Sequence, residues 1–436
     1  MCVFETITAL ADGMQDRLVT QRRDFHKYAE TGWFEMRTTS IIARHLTDLG
    51  YEVLLGEDVC LKEARMGVPS EQALEKHYQW AMENGADPEF LPATRGGTTG
   101  VIGILRCGEG PTVAMRFDID ALGVIESQDE DHVPYKLGFR SINEGAMHAC
   151  GHDGHATIGM GVAEVLMQIK DQLHGTIKLI FQPAEEGVRG AKSIVEKGHL
   201  DDVDYFYGTH VHSKESGDPT VLVPGTHGSL ATCKYDVTYT GKSSHAGGNP
   251  EGGKNALLAA ASAVLNLNAI PRHSGGASRI NVGTLHAGSG RNVIPDIATM
   301  EIEVRGATTE INHYMCQYAE RILKNAAEMH GCSCEIKLMG AADSAASDLD
   351  FAEQIRTVCR EKMGQTVSDT LSVKAGGSED VCYMMARVQQ CGGKASFFRS
   401  CTVFAGPAHN RRFDIGEEVL GNAVKSFCAI TAHLLG

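Results

Sequence analysis

Apolar positions recur every three to four residues over residues 5 to 28 and again near 37 to 49, a period that predicts two amphipathic helices. The stretch from about 56 to 98 is polar and irregular apart from a helical run from Ser70 to Asn84. It ends in the loop Arg95-Gly96-Gly97-Thr98-Thr99-Gly100. The embedded amphipathic helix favours a structured insertion over a linker. Val101–Leu105 and Thr112–Phe117 are mainly apolar runs that predict buried strands, the second ending in Asp118-Ile119-Asp120. A helix is predicted from His155 to Gln172, then strands at Thr176–Phe181 and Tyr205–Gly208. Strands alternating with helices define an α/β sheet, which binds ligands beyond the C-terminal ends of its strands.

The pattern changes near residue 228. Lys234–Tyr239 alternates as a strand, Lys254–Asn268 is an Ala/Leu-rich helix, and Ser278–Leu285 and Ala298–Arg305 are strands. A helix to about Met329 and a strand Cys334–Met339 follow. That β-α-β-β-α-β order is the ferredoxin-like split pattern, here about 110 residues long. The expected organisation is therefore two-domain α/β, with residues 1–227 and 340–436 forming one domain and 228–339 an inserted α+β domain.

A length of 436 residues agrees with two cores. A formal net charge of -15 argues against nucleic acid and anionic membrane surfaces as partners. Thirteen irregularly spaced cysteines form no disulfide framework, the N-terminal segment lacks the basic region of a signal peptide, and no apolar run is long enough to span a membrane. These features lead to the expectation of a cytoplasmic protein with reduced thiols.

The chemistry concentrates in Met147-His148-Ala149-Cys150-Gly151-His152-Asp153-Gly154-His155, where a thiol, three imidazoles and a carboxylate share one turn-prone segment. Cys, His and Asp are ligand types that borderline divalent metals choose. Asp118 and Asp120 end a buried strand, where carboxylates are costly unless paired or used. Gln182-Pro183-Ala184-Glu185-Glu186-Gly187 ends another; one glutamate could bind metal while its neighbour moves a proton. Thr209-His210-Val211-His212 brings a histidine to a third strand end. Cys150, His152, Glu186, His210 and His409 offer five donors, more than a structural zinc needs, which suits a two-metal site. Paired ions can lower the pKa of a shared water, and a free carboxylate beside it can take the proton and pass it to a leaving amine.

At this point the chain resembles the M20 metallopeptidase family, in its branch of indole-acetyl-amino-acid hydrolases and bacterial aminoacylases. The resemblance runs in order through Arg22-Arg23-Asp24-Phe25-His26 with Glu30 and Glu35, Met115–Leu122, Met147–His155, Gln182–Gly187 and Gly241-Lys242-Ser243-Ser244-His245-Ala246. Gly288–Pro295, Gly377-Ser378-Glu379-Asp380 and His409 complete it. The insertion around Gly56–Gly100, with Arg65-Met66-Gly67-Val68-Pro69, is similar to that of the p-aminobenzoyl-glutamate hydrolase group, as is Met384–Gln390.

The resemblance implies an M20-like α/β di-metal catalytic domain with an inserted ferredoxin-like lid and dimerisation domain. It implies that Cys150, His152, Glu186, His210 and His409 hold two divalent ions, Mn2+ first and Zn2+ as the alternative. Glu185 matches the general base, and His245 the residue that stabilises the oxyanion, often across a dimer. Asn292 and Arg305, with Arg291 as a further candidate, match positions that hold the substrate carboxylate. Asp118, Asp120 and Asp153, together with His148, are expected to orient the ligands, and His155 to begin the following helix.

The implied substrate is a small N-acyl amino acid, p-aminobenzoyl-glutamate first; an aminoacylase or indole-acetyl-amino-acid hydrolase acting on another acyl group is the alternative. A non-catalytic metal-dependent binding or regulatory subunit is the rival of another class, against which an intact Glu185 argues. A homodimer, or a heterodimer with a related subunit, is the implied assembly. Ala29 replaces a common Pro, Val381 a common Phe, and Ala408–Asp414 is slightly altered; none removes a ligand or the base.

Overall fold

The computed structural model describes residues 2–436. The chain divides into two compact units. The first runs to His227 and adds Ala345–Ala375 and Asp380–Gly436; the second is Gly228–Ser344 with Gly376–Glu379.

The first unit is built on a seven-stranded mixed sheet in the order Glu52–Leu55, Val101–Arg106, Thr176–Gln182, Thr112–Asp118, Tyr205–Ser213, Lys394–Thr402, Leu222–Val223. Thr112–Asp118 pairs in parallel with both Thr176–Gln182 and Tyr205–Ser213, and Tyr205–Ser213 in parallel with Lys394–Thr402. These strands are buried on both faces, which accounts for their apolar composition. Met115, Phe117, Leu179 and Phe181 point to a core closed by the helices His152–Ile169 and Glu418–Leu435. Ala114 and Ile180 point to a second core against Ala191–Glu196 and Val381–Gln390.

Gly159 sets how closely the central helix approaches the sheet. A Cβ there would lie 2.6 Å from Phe181 and 2.8 Å from Phe117. The three parallel neighbours bring Asp118–Asp120, Gln182–Glu186 and His210 to one side of the sheet, His210 from within Tyr205–Ser213 rather than from the expected strand end after Gly208.

Three local expectations are corrected. The single helix over 5 to 28 is two, Val3–Gly13 and Gln15–Lys27, because Met14 adopts a turn (φ -104°, ψ -2°) after a poor helix former, Gly13. The helix placed from His155 begins at His152, with Gly151 as its N-cap at φ +90°. A Cβ on Gly151 would meet Val211 at 2.4 Å, so the turn needs glycine. The edge strand Glu52–Leu55 is only four residues long, too short for a pattern to register.

The second unit is a four-stranded antiparallel sheet in the order Ser333–Ala342, Ala231–Thr240, Ile297–Gly306, Ser278–Ala287. Its helices Ala256–Asn268 and Thr309–Met329 bury Ala259, Ala260, Ala263, Met315, Ala319 and Leu323 against Tyr235, Val237, Met300, Ile302 and Val304. Asn255 and Thr308 cap the two helices by accepting the N–H of Leu258 and Ile311.

Candidate metal centre

Asp120 organises the turn that carries the two glutamates. Its Oδ1 accepts the N–H of Glu185 at 3.1 Å and its Oδ2 the N–H of Glu186 at 2.9 Å. Buried Glu35 accepts the N–H of Ala184 at 2.7 Å and the hydroxyl of Thr99 at 2.6 Å. Asp380 accepts the N–H groups of Gly190 and Ala191. Three carboxylates thus hold one loop, in which Ala184 and Val188 have positive φ (51° and 59°), conformations that cost energy for residues with a side chain. Burial, reinforced by Asp120, pushes Glu35 up to about 8.

Backbone carbonyls orient two of the histidines. His152 donates from Nδ1 to the Asp120 carbonyl at 2.9 Å, and His210 from Nδ1 to the Val211 carbonyl at 2.6 Å, leaving Nε2 of each as the atom that can meet a cation. The Nε2 of His210 lies 3.3 Å from the Cys150 sulfur. His409 has φ 63° and donates its backbone N–H to Ala149 at 2.8 Å, which ties it to the Cys150 segment across a long sequence gap. Its Nε2 lies 3.7 Å from Glu186 Oε1.

Ligand atoms within 4.8 Å of one another form the groups Cys150/His152/His210, Cys150/Glu186/His409 and His152/Glu185/Glu186. The structure thus brings together Cys150, His152, Glu185, Glu186, His210 and His409. The donors suit a cation on two grounds. His152 Nε2 and Glu186 Oε1 are buried without a hydrogen-bond partner, and such atoms cost about 1–3 kcal/mol each when nothing compensates them. Burial also pushes the Cys150 thiol up and Glu186 to about 7, against the pull of His152, so both groups await a positive charge.

In a fourth proximity, Asp118/His152/His155, the His155 imidazole has no free nitrogen. His155 Nε2 accepts the N–H of Val211 at 2.9 Å and its Nδ1 pairs with Asp118. His155 is therefore more than a helix start: it anchors the strand that carries His210. Burial opposes the Asp118 carboxylate, but Arg116, His152 and His155 hold it well below the usual range. Asp118 sits 3.7 Å from His152 Nε2.

Asp153 makes its bonds away from the donors, to Arg22 at 2.8 Å, His26 at 2.7 Å and the Gly154 N–H at 2.9 Å. It anchors the first turn of the helix. His148 is buried with neither ring nitrogen hydrogen-bonded, so it orients no ligand through a hydrogen bond. Sequence reading assigned no role to Arg22, His26, Glu35, Arg116 or Asp380; all are buried charged groups, and the signal available was their place in the matching segments.

The remaining candidates lie in the second unit. His245 is exposed and accepts the N–H groups of Gly247 (3.1 Å) and Gly248 (2.9 Å) at Nδ1, which leaves Nε2–H as an outward donor. Asn292 is exposed on the neighbouring loop, its carbonyl accepting the Ala246 N–H at 3.0 Å. Arg291 is exposed, and Arg305 is half-buried with Glu303 at 2.9 Å. His245 and Asn292 are thus neighbours, while Arg305 belongs to the sheet face.

Fold and donor set together define the class, a metal-dependent amidohydrolase. Residues 114–433 match the model of Peptidase family M20/M25/M40, and the chain belongs to that family. It is 45% identical over 425 residues, 97% of each chain, to a p-aminobenzoyl-glutamate hydrolase of Escherichia coli (strain K12). It is 47% identical over 414 residues, 94% of each chain, to the indole-3-acetyl-aspartic acid hydrolase of Enterobacter agglomerans. The crystal structure of an aminobenzoyl-glutamate utilization protein from Klebsiella pneumoniae superposes with a TM-score of 0.83 at 39% identity, covering 97% of each chain. The activity that goes with this membership is hydrolysis of the amide bond of an N-acyl amino acid. No helix among the described residues is long and apolar enough to cross a membrane.

Proposed function

We propose that the protein hydrolyses N-acyl derivatives of acidic amino acids with an aromatic acyl group, p-aminobenzoyl-glutamate first. The observation that carries the hydrolytic reading is the convergence of Cys150, His152, Glu186, His210 and His409 around orphaned His152 Nε2 and Glu186 Oε1, with Glu185 on the same Asp120-held turn. The acidic amino acid and aromatic acyl group come from the names of the two curated relatives.

Two divalent ions at these donors, manganese as first candidate and zinc as second, would polarise the scissile carbonyl and acidify the attacking water. Glu185 accepts the water proton as the oxygen attacks the carbonyl carbon. The same carboxyl then protonates the amide nitrogen, the C–N bond breaks, and a carboxylate and an amine leave. Within the inserted unit, the Nε2–H of His245 is a fixed donor suited to a developing oxyanion, and Asn292 with Arg305 and Arg291 is assigned to the substrate carboxylate. The assembly is assigned as a dimer, with a second copy or a related subunit, in the cytoplasm.

Glu185→Gln is expected to lower kcat by about 10²–10⁴-fold with metal content unchanged. The measurement is release of p-aminobenzoate, indole-acetate or acetate from a panel of N-acyl amino acids, alongside elemental analysis. Full turnover by Glu185→Gln would remove the base from the scheme. Equal rates on neutral and acidic conjugates would remove the substrate preference.

A further inference from the structure

The inserted sheet carries an unusual arrangement of charge. In its antiparallel ladder Arg305 stands directly opposite Arg279, and Glu303 opposite Asn281. These four alternate with Ile302, Val304 and Ile280, which join the core with the helices, so the four occupy the other face. Like charges directly opposite across a ladder destabilise it. Arg272, from the loop after the helix Ala256–Asn268, joins them, and together with Ser278 and Ile280 they line a cavity of about 470 Å³.

Charge balance in that cavity is strongly one-sided. Glu303 is its single carboxylate and pairs with Arg305 at 2.9 Å, while Lys234 stands directly opposite Glu303 in the ladder. Arg272 reaches only the Ile270 carbonyl, at 3.4 Å, and Arg279 makes no ion pair among the described residues. The next carboxylates, Asp236 and Glu301, face each other two register positions along the sheet. Three guanidiniums against one carboxylate leave a net charge of +2 on a chain whose own net charge is -15. Arg272 and Arg279 are exposed, and a concave surface lined so one-sidedly focuses a positive potential that draws small anions.

We infer that Arg272 and Arg279, beside Arg305, form a binding site for a small dicarboxylate. A planar guanidinium grips a carboxylate bidentately, and two unpaired forks together with the shared Arg305 suit a ligand with two carboxylates a few ångströms apart. Neutral or monocarboxylate ligands leave at least one guanidinium uncompensated. The dicarboxylate has two sources: the acidic amino-acid half of the substrate, or a free dicarboxylate acting as a separate ligand. Only the first rests on the hydrolase reading.

The test is calorimetric titration of the metal-loaded full-length protein with glutarate, and with butyrate as the monocarboxylate. Wild type is expected to bind glutarate at least about tenfold more tightly than butyrate, and Arg272→Ala/Arg279→Ala to lose that preference. Arg279→Lys, which keeps charge without the fork, is expected to fall between. Circular dichroism checks that each variant is folded. Equal affinities in wild type, or a preference untouched by the double variant, would overturn the site.

Steady-state kinetics then separates the sources. If the substrate fills the cavity, Arg279→Ala raises KM for a glutamate conjugate about tenfold and leaves an alanine conjugate unchanged, with glutarate competitive. If a free dicarboxylate fills it, both KM values stay and glutarate is non-competitive. Because glutarate binding needs no turnover, an absence of hydrolysis in wild type would count against the hydrolase reading alone.

Discussion

Asp120 accepts the backbone N–H groups of both Glu185 and Glu186, and its own carbonyl orients His152. Asp120→Ala is therefore expected to lower metal affinity by about 10–100-fold, the usual cost of removing a group that orients ligands, as read by metal titration. An affinity unchanged by this substitution would mean the turn holds itself. At this scale the donors were legible because thiol, imidazole and carboxylate are chemically conspicuous when they crowd a strand end. The expected ligand set leaves His155 out, but its anchoring role was not legible. It depends on Asp118 and the Val211 N–H occupying its two nitrogens, and neither contact is local in sequence.

Helix and strand contacts decide how firmly these residues are held. Gly159→Val would drive a branched side chain into Phe117 and Phe181, already 2.8 and 2.6 Å from a single Cβ. It is expected to destabilise the fold by about 1–3 kcal/mol in denaturant unfolding, as overpacking does. The helix Gln15–Lys27 is tied to the start of the helix His152–Ile169 by His26, which bonds Asp153 at 2.7 Å and Glu126 at 3.0 Å. Burial works against the imidazolium, but these two carboxylates raise His26 to about 9. A raised folded pKa gives stability that is complete below the unfolded value near 6.5 and fades as pH rises through 9. The stability difference between wild type and His26→Gln should thus shrink by on the order of 3 kcal/mol from pH 6.5 to 9, as followed by chemical denaturation. A constant difference would mean that His26 is neutral. The element pattern itself was readable from periodicity, and its errors fell where pattern is weakest: at Met14, at the helix start and at the edge strand Glu52–Leu55.

On the scale of the whole molecule, each of the two units has its own hydrophobic core residues, so two cooperative transitions are expected and a single unfolding free energy is not defined. All the clustered donors belong to the first unit. Chelation of the metal is therefore expected to lower one calorimetric transition, by about 3–4 kcal/mol if the ions had been present at 100 to 1,000 times their Kd, and to leave the other in place. Two transitions moving together would show that the units unfold as one.

The sequence by itself determined the α/β class and the family. Both follow from residue types and their order, and periodicity and motif spacing preserve that information. It also placed every donor atom in the chain. What only the tertiary structure decided is which of those atoms are available. A histidine can offer a donor atom when one ring nitrogen is held and the other is left buried without a partner, as at His152, and cannot when both are occupied, as at His155. Likewise, three arginines spaced along the inserted unit are ordinary surface charge until the register of two antiparallel strands sets Arg279 against Arg305. Hydrogen-bond partnership and strand register are properties of distant residues brought into contact, so no local reading of the chain contains them.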